Sequence, residues 1–549
     1  MKLQILLEKN ANTIYNEDET ISYNYTTKRY PSDVAPGDLP LAGSYDMFNG
    51  YGRKLYYELA VNYARSFGDH SVSGLLLFNR KMNETTTTNV MDFPAYEEDW
   101  VGRVTYNWKE RYLAEFNGAY TGSEKFAPGK RFGFFPSASI GWRISEEPFV
   151  KEITKGVLSN LKVRYSYGEV GSDKGASRFN YIQSFEQIDG NAQFGLNQTT
   201  NWGPLYKEGK LADPNSTWER AVKQNLGVEI GLWSKLNITL DFFDEKRDGI
   251  LMERRTVPSW GDSGIDFPQV NLGKTKNHGM ELDISWNDRI NKFNYYAKFN
   301  FATSESRIVF KDDPINDYDY NKDAGKSIGY AKKYLATGNF QSLDDIYNSA
   351  QSLITNGRHN TLIPGDLYYI DYNGDGFIDV NDKVPVSQLN YPLTTMGLTL
   401  GGEYKGFGFN MLWYGAIGVY KEAISAYLWD FPSSNIKAQP NTYDCWSPDN
   451  PLQEGPVRPN LHLQKAYNSV ESTYTYTDHS YLRLKNIEVN YSFPKKWLSP
   501  LRLSKLQIYV NGSNLLTFSK ADYRRDPETG GQNVYPLVKR YNIGFRLGL

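Results

Sequence analysis

Apolar and polar residues alternate with a period of two along most of this chain. The pattern is plain in Leu59/Val61/Tyr63, Val104/Tyr106/Trp108, Tyr112/Ala114/Phe116/Gly118/Tyr120 and Ala138/Ile140/Trp142. It continues in Leu161/Val163/Tyr165/Tyr167, Leu226/Val228/Ile230/Leu232, Leu236/Ile238/Leu240/Phe242 and Phe293/Tyr295/Ala297/Phe299/Phe301. About fifteen segments of this kind predict half-buried strands. Their alternate positions carry Arg103, Asn107, Glu115, Asn117, Glu229, Asp241, Asp283, Lys298 and Asn410. Between Leu484 and Ile487 the phase slips, which predicts a β-bulge. The last residues, Tyr541/Ile543/Phe545/Leu547/Leu549, repeat the alternation to the C-terminus. A strand with one wholly apolar face at a terminus suits a sheet in lipid, where every edge must be paired.

The connections alternate in length. Gly68-Asp69, Lys109–Arg111, Ser234-Lys235, Asn287–Lys292 and Lys405-Gly406 are short, and Glu146–Asn160 and Pro494–Ser504 are longer members of that series. Those between them are long, notably around 170–220, 305–392 and 419–479. Short periplasmic turns and long extracellular loops produce this rhythm in a transmembrane barrel, whereas a soluble sandwich has no reason for it. Trp108, Trp142, Trp233, Trp286 and Trp497 fall at or beside the short connections, as expected for an aromatic belt at headgroup level. The fold expected is therefore all-β, an antiparallel transmembrane β-barrel in the outer membrane. Counting strands back from Leu549 as a periplasmic end makes residues 10–54 an extracellular loop. The chain then begins inside a barrel.

Composition narrows the choice. Aromatic residues make up 15% of the 549 residues, with 42 Tyr and 47 Gly, which suits antiparallel sheet with tight turns. Mean hydropathy is −0.59, and no run approaches the roughly 18 apolar residues of a membrane helix. A net charge of −2 gives no reason to expect a nucleic-acid partner. Cys445 is the single cysteine, so no intrachain disulfide is expected. Met1–Asn10 lacks the apolar core of a signal peptide.

Several motifs then carry a resemblance. Tyr509-Val-Asn-Gly-Ser-Asn-Leu-Leu-Thr-Phe518, Asp526-Pro-Glu528, Tyr535-Pro-Leu537 and Tyr481-Leu-Arg-Leu-Lys-Asn-Ile487 stand near the C-terminus. Asp213-Pro-Asn-Ser-Thr-Trp-Glu219, Asn271-Leu-Gly-Lys-Thr-Lys-Asn-His-Gly-Met-Glu281 and Trp446-Ser-Pro-Asp-Asn-Pro451 precede them. In this order they resemble the C-terminal barrel of SusC/RagA-type TonB-linked outer-membrane proteins. The resemblance implies a barrel of about twenty-two strands, of which fifteen or sixteen are expected here. It also implies import of oligosaccharides or peptides, driven by TonB through an N-terminal plug and covered by a SusD/RagB-type lipoprotein lid. Residues 1–549 are expected to be barrel alone, with plug and signal peptide absent. The alternatives are a plugless passive porin, a non-functional truncated fragment and an extracellular glycan-binding adhesin.

One loop carries metal-like spacing. In Asp371-Tyr-Asn373-Gly-Asp375-Gly-Phe377-Ile-Asp379-Val-Asn-Asp382, side-chain oxygens fall at positions 1, 3, 5, 9 and 12. Gly376 sits at position 6, and Phe377 offers its carbonyl at 7, as in an EF-hand loop for Ca²⁺. Asp382 replaces the usual bidentate Glu, which predicts a weaker site. The alternative is a polar Asn-Gly/Asp-Gly turn holding no ion. Trp202, Trp260, Trp429 and Trp446 lie in long connections, as candidates for stacking on sugar, docking a lid or packing loop against loop. No enzyme is expected. His70, His278, His359, His462 and His479 are scattered, and no His-Glu-x-x-His pair occurs.

Overall fold

A computed structural model of the protein describes residues 2–11, 14–15, 21–22, 52–85, 94–194, 200–256, 267–315, 318–354, 361–423, 445–449, 458–459, 467–521, 525–529 and 537–548. Sixteen strands form one sheet, each hydrogen-bonded to the next in chain order. The first eight are β1 (Lys2–Ala11), β2 (Gly52–Phe67), β3 (His70–Thr85), β4 (Ala95–Trp108), β5 (Tyr112–Ser123), β6 (Phe132–Arg143), β7 (Leu158–Ser172) and β8 (Glu219–Leu232). The rest are β9 (Leu236–Met252), β10 (Val270–Ile290), β11 (Phe293–Phe310), β12 (Thr394–Tyr404), β13 (Phe407–Ile417), β14 (Tyr481–Ser492), β15 (Lys505–Ser519) and β16 (Arg540–Gly548). The paired neighbours β4–β5, β10–β11, β12–β13 and β15–β16 are antiparallel. The alternation of connection length appears as expected, and the strand count falls within the expected range.

The tight connections show why the hairpins close where they do. Lys109 and Glu110 both take left-handed φ, at 54° and 57°, and Arg111 N–H donates to the Trp108 carbonyl at 2.9 Å. Such turns carry the twist of the flanking strands across two residues. Lys405 and Gly406 do the same at 49° and 91°. The β10–β11 turn is tighter than its sequence suggested: pairing continues to Ile290 opposite Phe293, leaving Asn291-Lys292. The bulge in β14 is present. Lys485 is skipped by the registers with both β13 and β15.

Two compact units divide the chain, Met1–Trp142 with Tyr165–Gln224 and Arg247–Leu272, and Arg143–Arg164 with Asn225–Lys246 and Gly273–Leu549. In the first, Val104, Phe116 and Ile140 leave most of their side chains uncovered on one sheet face. Arg103 pairs with Glu115 at 2.8 Å at the alternate positions. In the second, Val489, Val510, Ile543 and Phe545 are likewise exposed. Arg164 grips Asp241 through two hydrogen bonds of 2.6 and 2.7 Å, and Lys162 reaches Glu229 at 3.1 Å. Apolar area left in water costs about 25 cal/mol per Å². A bilayer removes that cost for one face while ion pairs stay on the other.

The buried hydrophobic clusters lie mainly beyond the strands, in the long connections. In the second unit Tyr334, Phe340, Ile346, Leu367, Tyr369, Ile378 and Tyr467 form a cluster built by residues between β11 and β12 with one from the β13–β14 connection. In the first, Phe126, Ala176, Trp218 and Leu251 gather against Phe135 of β6.

Candidate functional site

Four of the sequence motifs meet in pairs. Arg483 of β14 is almost wholly buried, and its two terminal nitrogens reach Glu528 at 2.6 Å and Asp526 at 2.7 Å. Its Nε donates to Thr517 Oγ1 at 3.0 Å. The bulged Lys485 pairs with Glu528 as well. Each carboxylate therefore has a cation, and the segment around 525–529 is fastened to the end of β14. Burial without such pairing would be prohibitive for Arg483 and Asp526.

The second pair is polar and aromatic. Trp218 is buried against Phe126 and Phe135, with ring centroids 5.3 and 5.5 Å away. Its indole N–H donates to the Arg131 carbonyl at 3.1 Å, so the ring's one polar atom is satisfied. One residue earlier, Thr217 N–H donates to Asn271 Oδ1 at 2.9 Å. Asn271 Nδ2 returns to the carbonyls of Thr217 at 2.8 Å and Gly249 at 2.7 Å. The amide side chain thus ties the backbone just before β8 to that of Gly249 in β9.

The third cluster supports the candidate ion loop. Asp366 and Asn468 are both buried, joined by a 2.7 Å hydrogen bond from Asn468 Nδ2. Leu367 N–H donates to Asn468 Oδ1 at 2.8 Å. Tyr334 sits in the same core, where burial pushes its phenol up to about 12 and keeps it neutral.

Within the ion-like loop, Gly374 and Gly376 take φ of 74° and 85°, which the tight wrap requires. Asp371 accepts from Gly374 N–H at 2.7 Å and Gly376 N–H at 2.8 Å. Asn373 Oδ1 accepts from Asp375 N–H at 3.0 Å, and Asp375 Oδ1 from Phe377 N–H at 2.8 Å. Asp379 accepts from Asn381 N–H at 2.7 Å. Asp382 is fully buried and accepts from the amides of Tyr372 at 2.7 Å and Asp379 at 2.8 Å. Residues 371–377 thus have the curvature and oxygen donors of a Ca²⁺ loop. Asp382 instead ties the two ends of the loop together. Among the described residues no group of three or more His, Cys, Asp or Glu is placed to hold a metal.

Of the four candidate tryptophans, Trp446 is buried, and its Nε1 donates to Gln341 Oε1 at 3.0 Å. Of the alternatives at this position, that favours packing loop against loop, because the indole has both apolar cover and a hydrogen-bond acceptor inside the fold. Trp202 lies in the strand Thr200–Glu208, and Trp260 and Trp429 fall outside the described residues. The short-turn tryptophans form ring contacts instead. Trp108 stacks near Tyr112 at 5.5 Å, and Trp233 meets Trp286 edge-on at 6.5 Å. The Arg483 cluster and the Asn271 bridge were not singled out from sequence as contacts. The available signal was a charged residue inside an otherwise apolar strand motif.

The family described as "TonB dependent receptor-like, beta-barrel" matches residues 6–515. The chain belongs to the TonB-dependent receptor family. As a TonB-dependent receptor barrel it is a protein of the outer membrane, and its relatives include SusC. TonB-dependent receptor P3 of Formosa agariphila is 27% identical over 97% of this chain and 51% of its own length. SusC of Bacteroides thetaiotaomicron is 28% identical over 82% of this chain and 43% of its own. The solved RagAB peptide transporter shares the fold, with a TM-score of 0.69 at 18% identity, over 91% of this chain and 56% of that one. The receptor chain spans about half the length of the relatives it matches.

Proposed function

We propose that this chain is the C-terminal barrel portion of a SusC/RagA-type importer that carries oligosaccharides or peptides across the outer membrane. The observation that carries the reading is the division of the sheet. Exposed apolar side chains such as Val510 and Ile543 occupy one face, while ion pairs such as Arg164–Asp241 occupy the other. In the whole transporter, TonB would act through a plug region outside the matched barrel, and a SusD/RagB-type lipoprotein would cover the extracellular loops. The packed loop core around Tyr369 and Tyr467 supports the last point, because a lid needs a shaped surface to close upon. We read the chain as part of a transporter rather than an enzyme, since the relatives it matches are named as receptors. Ca²⁺ is proposed as a ligand of Asp371, Asn373, Asp375 and the Phe377 carbonyl, stiffening that loop. Asp379 would supply the far side of the site, while Asp382 closes the loop through the amides of Tyr372 and Asp379.

The test is uptake. Cells deleted for the gene should lose import of labelled oligosaccharide or of labelled peptide, and a proton uncoupler should abolish the wild-type uptake. Uptake that survives the uncoupler would overturn the TonB-driven reading in favour of passive diffusion.

A further inference from the structure

Two of the seven short-series connections fold into short helices, and both expose large apolar side chains where a turn in water would carry polar ones. The first is α1 (Pro148–Thr154), between β6 and β7. Its start is pinned: Ser145 and Glu147 are buried, and Val150 and Lys151 donate to the Glu147 carbonyl at 3.1 Å. Past that point Phe149 is 57% exposed and Ile153 77% exposed. They are four residues apart, so they share one helix face. Val157, just beyond the helix, is exposed as well. Its carbonyl accepts from Trp233 N–H at 2.7 Å, which places this apolar ridge beside a tryptophan of the short-turn belt. The second helix is α2 (Lys495–Leu498), between β14 and β15. There Leu498 is buried and holds the turn, while Trp497 is exposed with Lys495 and Lys496 beside it.

We propose that α1 is an interfacial anchor, with Phe149 and Ile153 immersed in the phospholipid layer at the short-turn ends of the strands. The occupant is lipid because the patch continues the exposed apolar face of the same strands. Val157 leads directly into β7, whose Tyr165 and Tyr167 are exposed. Charge agrees. Lys155 stands just past the helix end of the ridge, and its ammonium group suits a phosphate headgroup once the apolar residues are submerged, whereas Lys151 pairs with Glu146. The anchor sets the depth at which β6 and β7 sit.

The test uses the chain folded into phosphatidylethanolamine/phosphatidylglycerol vesicles, in a Cys445→Ser background with one spin-labelled cysteine at a time. Phe149→Cys and Ile153→Cys should collide preferentially with oxygen, as Val104→Cys on the strand face does. Lys151→Cys, two residues from each and on the other side of the helix, should collide preferentially with a water-soluble nickel chelate. Nickel-dominated collisions at 149 and 153 would place the ridge in water and overturn the proposal. Low collision with both reagents would show the ridge covered by protein, and would overturn it equally. A second measurement avoids refolding. In isolated outer membranes Ile153→Cys should react with a membrane-impermeant maleimide at least tenfold more slowly than Lys151→Cys, and equal rates would overturn the proposal.

Discussion

Replacing Arg483 by Met should release the segment around 525–529 while leaving the strands paired. Arg483 is 2% exposed and holds Asp526 and Glu528 at 2.7 and 2.6 Å. Methionine fills much of the volume but leaves Asp526 as a buried carboxylate without its cation. Removing one partner of a buried pair costs about 3–5 kcal/mol. Here the lower end applies, because Glu528 keeps Lys485 and is itself about a quarter exposed. About 3 kcal/mol raises the equilibrium for local opening roughly a hundredfold. Trypsin can read this out, since Arg525 lies in the released segment and cleavage after it follows the open population. The R483M chain in outer membranes should be nicked about a hundred times faster at this site, by mass of the C-terminal fragment. Adding Asp526→Asn should recover part of the protection by removing the orphaned charge. A nicking rate within threefold of wild type for R483M would refute the clasp.

Trp218→Ala should cost about 3–5 kcal/mol, because it empties the space against Phe126 and Phe135 and removes the bond to the Arg131 carbonyl; denaturant titration of the detergent-solubilised protein followed by tryptophan emission checks it. His479 is buried beside Arg525 and Lys421, with Asp478 opposing them, and burial first and those cations second push its pKa down to about 4. The unfolded chain, titrating near 6.5, then binds the extra proton first. Protection of the neighbouring loop from protease should therefore be full above about pH 6.5 and fall as pH drops toward 4, and His479→Asn should flatten that fall. Terbium luminescence sensitised by nearby tyrosines should report cation binding at residues 371–377, be displaced by Ca²⁺, and disappear in Asp371→Asn; unchanged emission in that variant would remove the ion from the loop.

Much of the sheet was legible because its signal is local. Period-two alternation marks a strand without reference to its partner, and loop length marks which end it turns at. The bulge at Lys485 was legible for the same reason, as a phase error within one segment. The clusters in the long connections were not. Leu367 bonds to Asn468 across about a hundred residues of sequence, and nothing in either neighbourhood specifies the other. The motif around Trp218 was visible as a motif, yet its role depends on Phe135 from another strand and on Asn271 from a third. The ion-like loop shows the opposite limit. Its spacing was fully readable, but the spacing is silent on whether Asp382 faces a cation or the backbone amides it accepts from.

The cluster centred on Tyr369 and Tyr467 has a kinetic consequence. Its halves flank β12 and β13, so they are brought together only after that hairpin has formed and its long closures have been made. The order is set by chain entropy, since distant contacts wait for the local ones that shorten the effective loop. Completion of this surface therefore reports that the strands between its parts are in register. A cell that inspects newly assembled proteins by proteolysis at the surface would, in effect, be testing the membrane-embedded hairpins through their exposed connections.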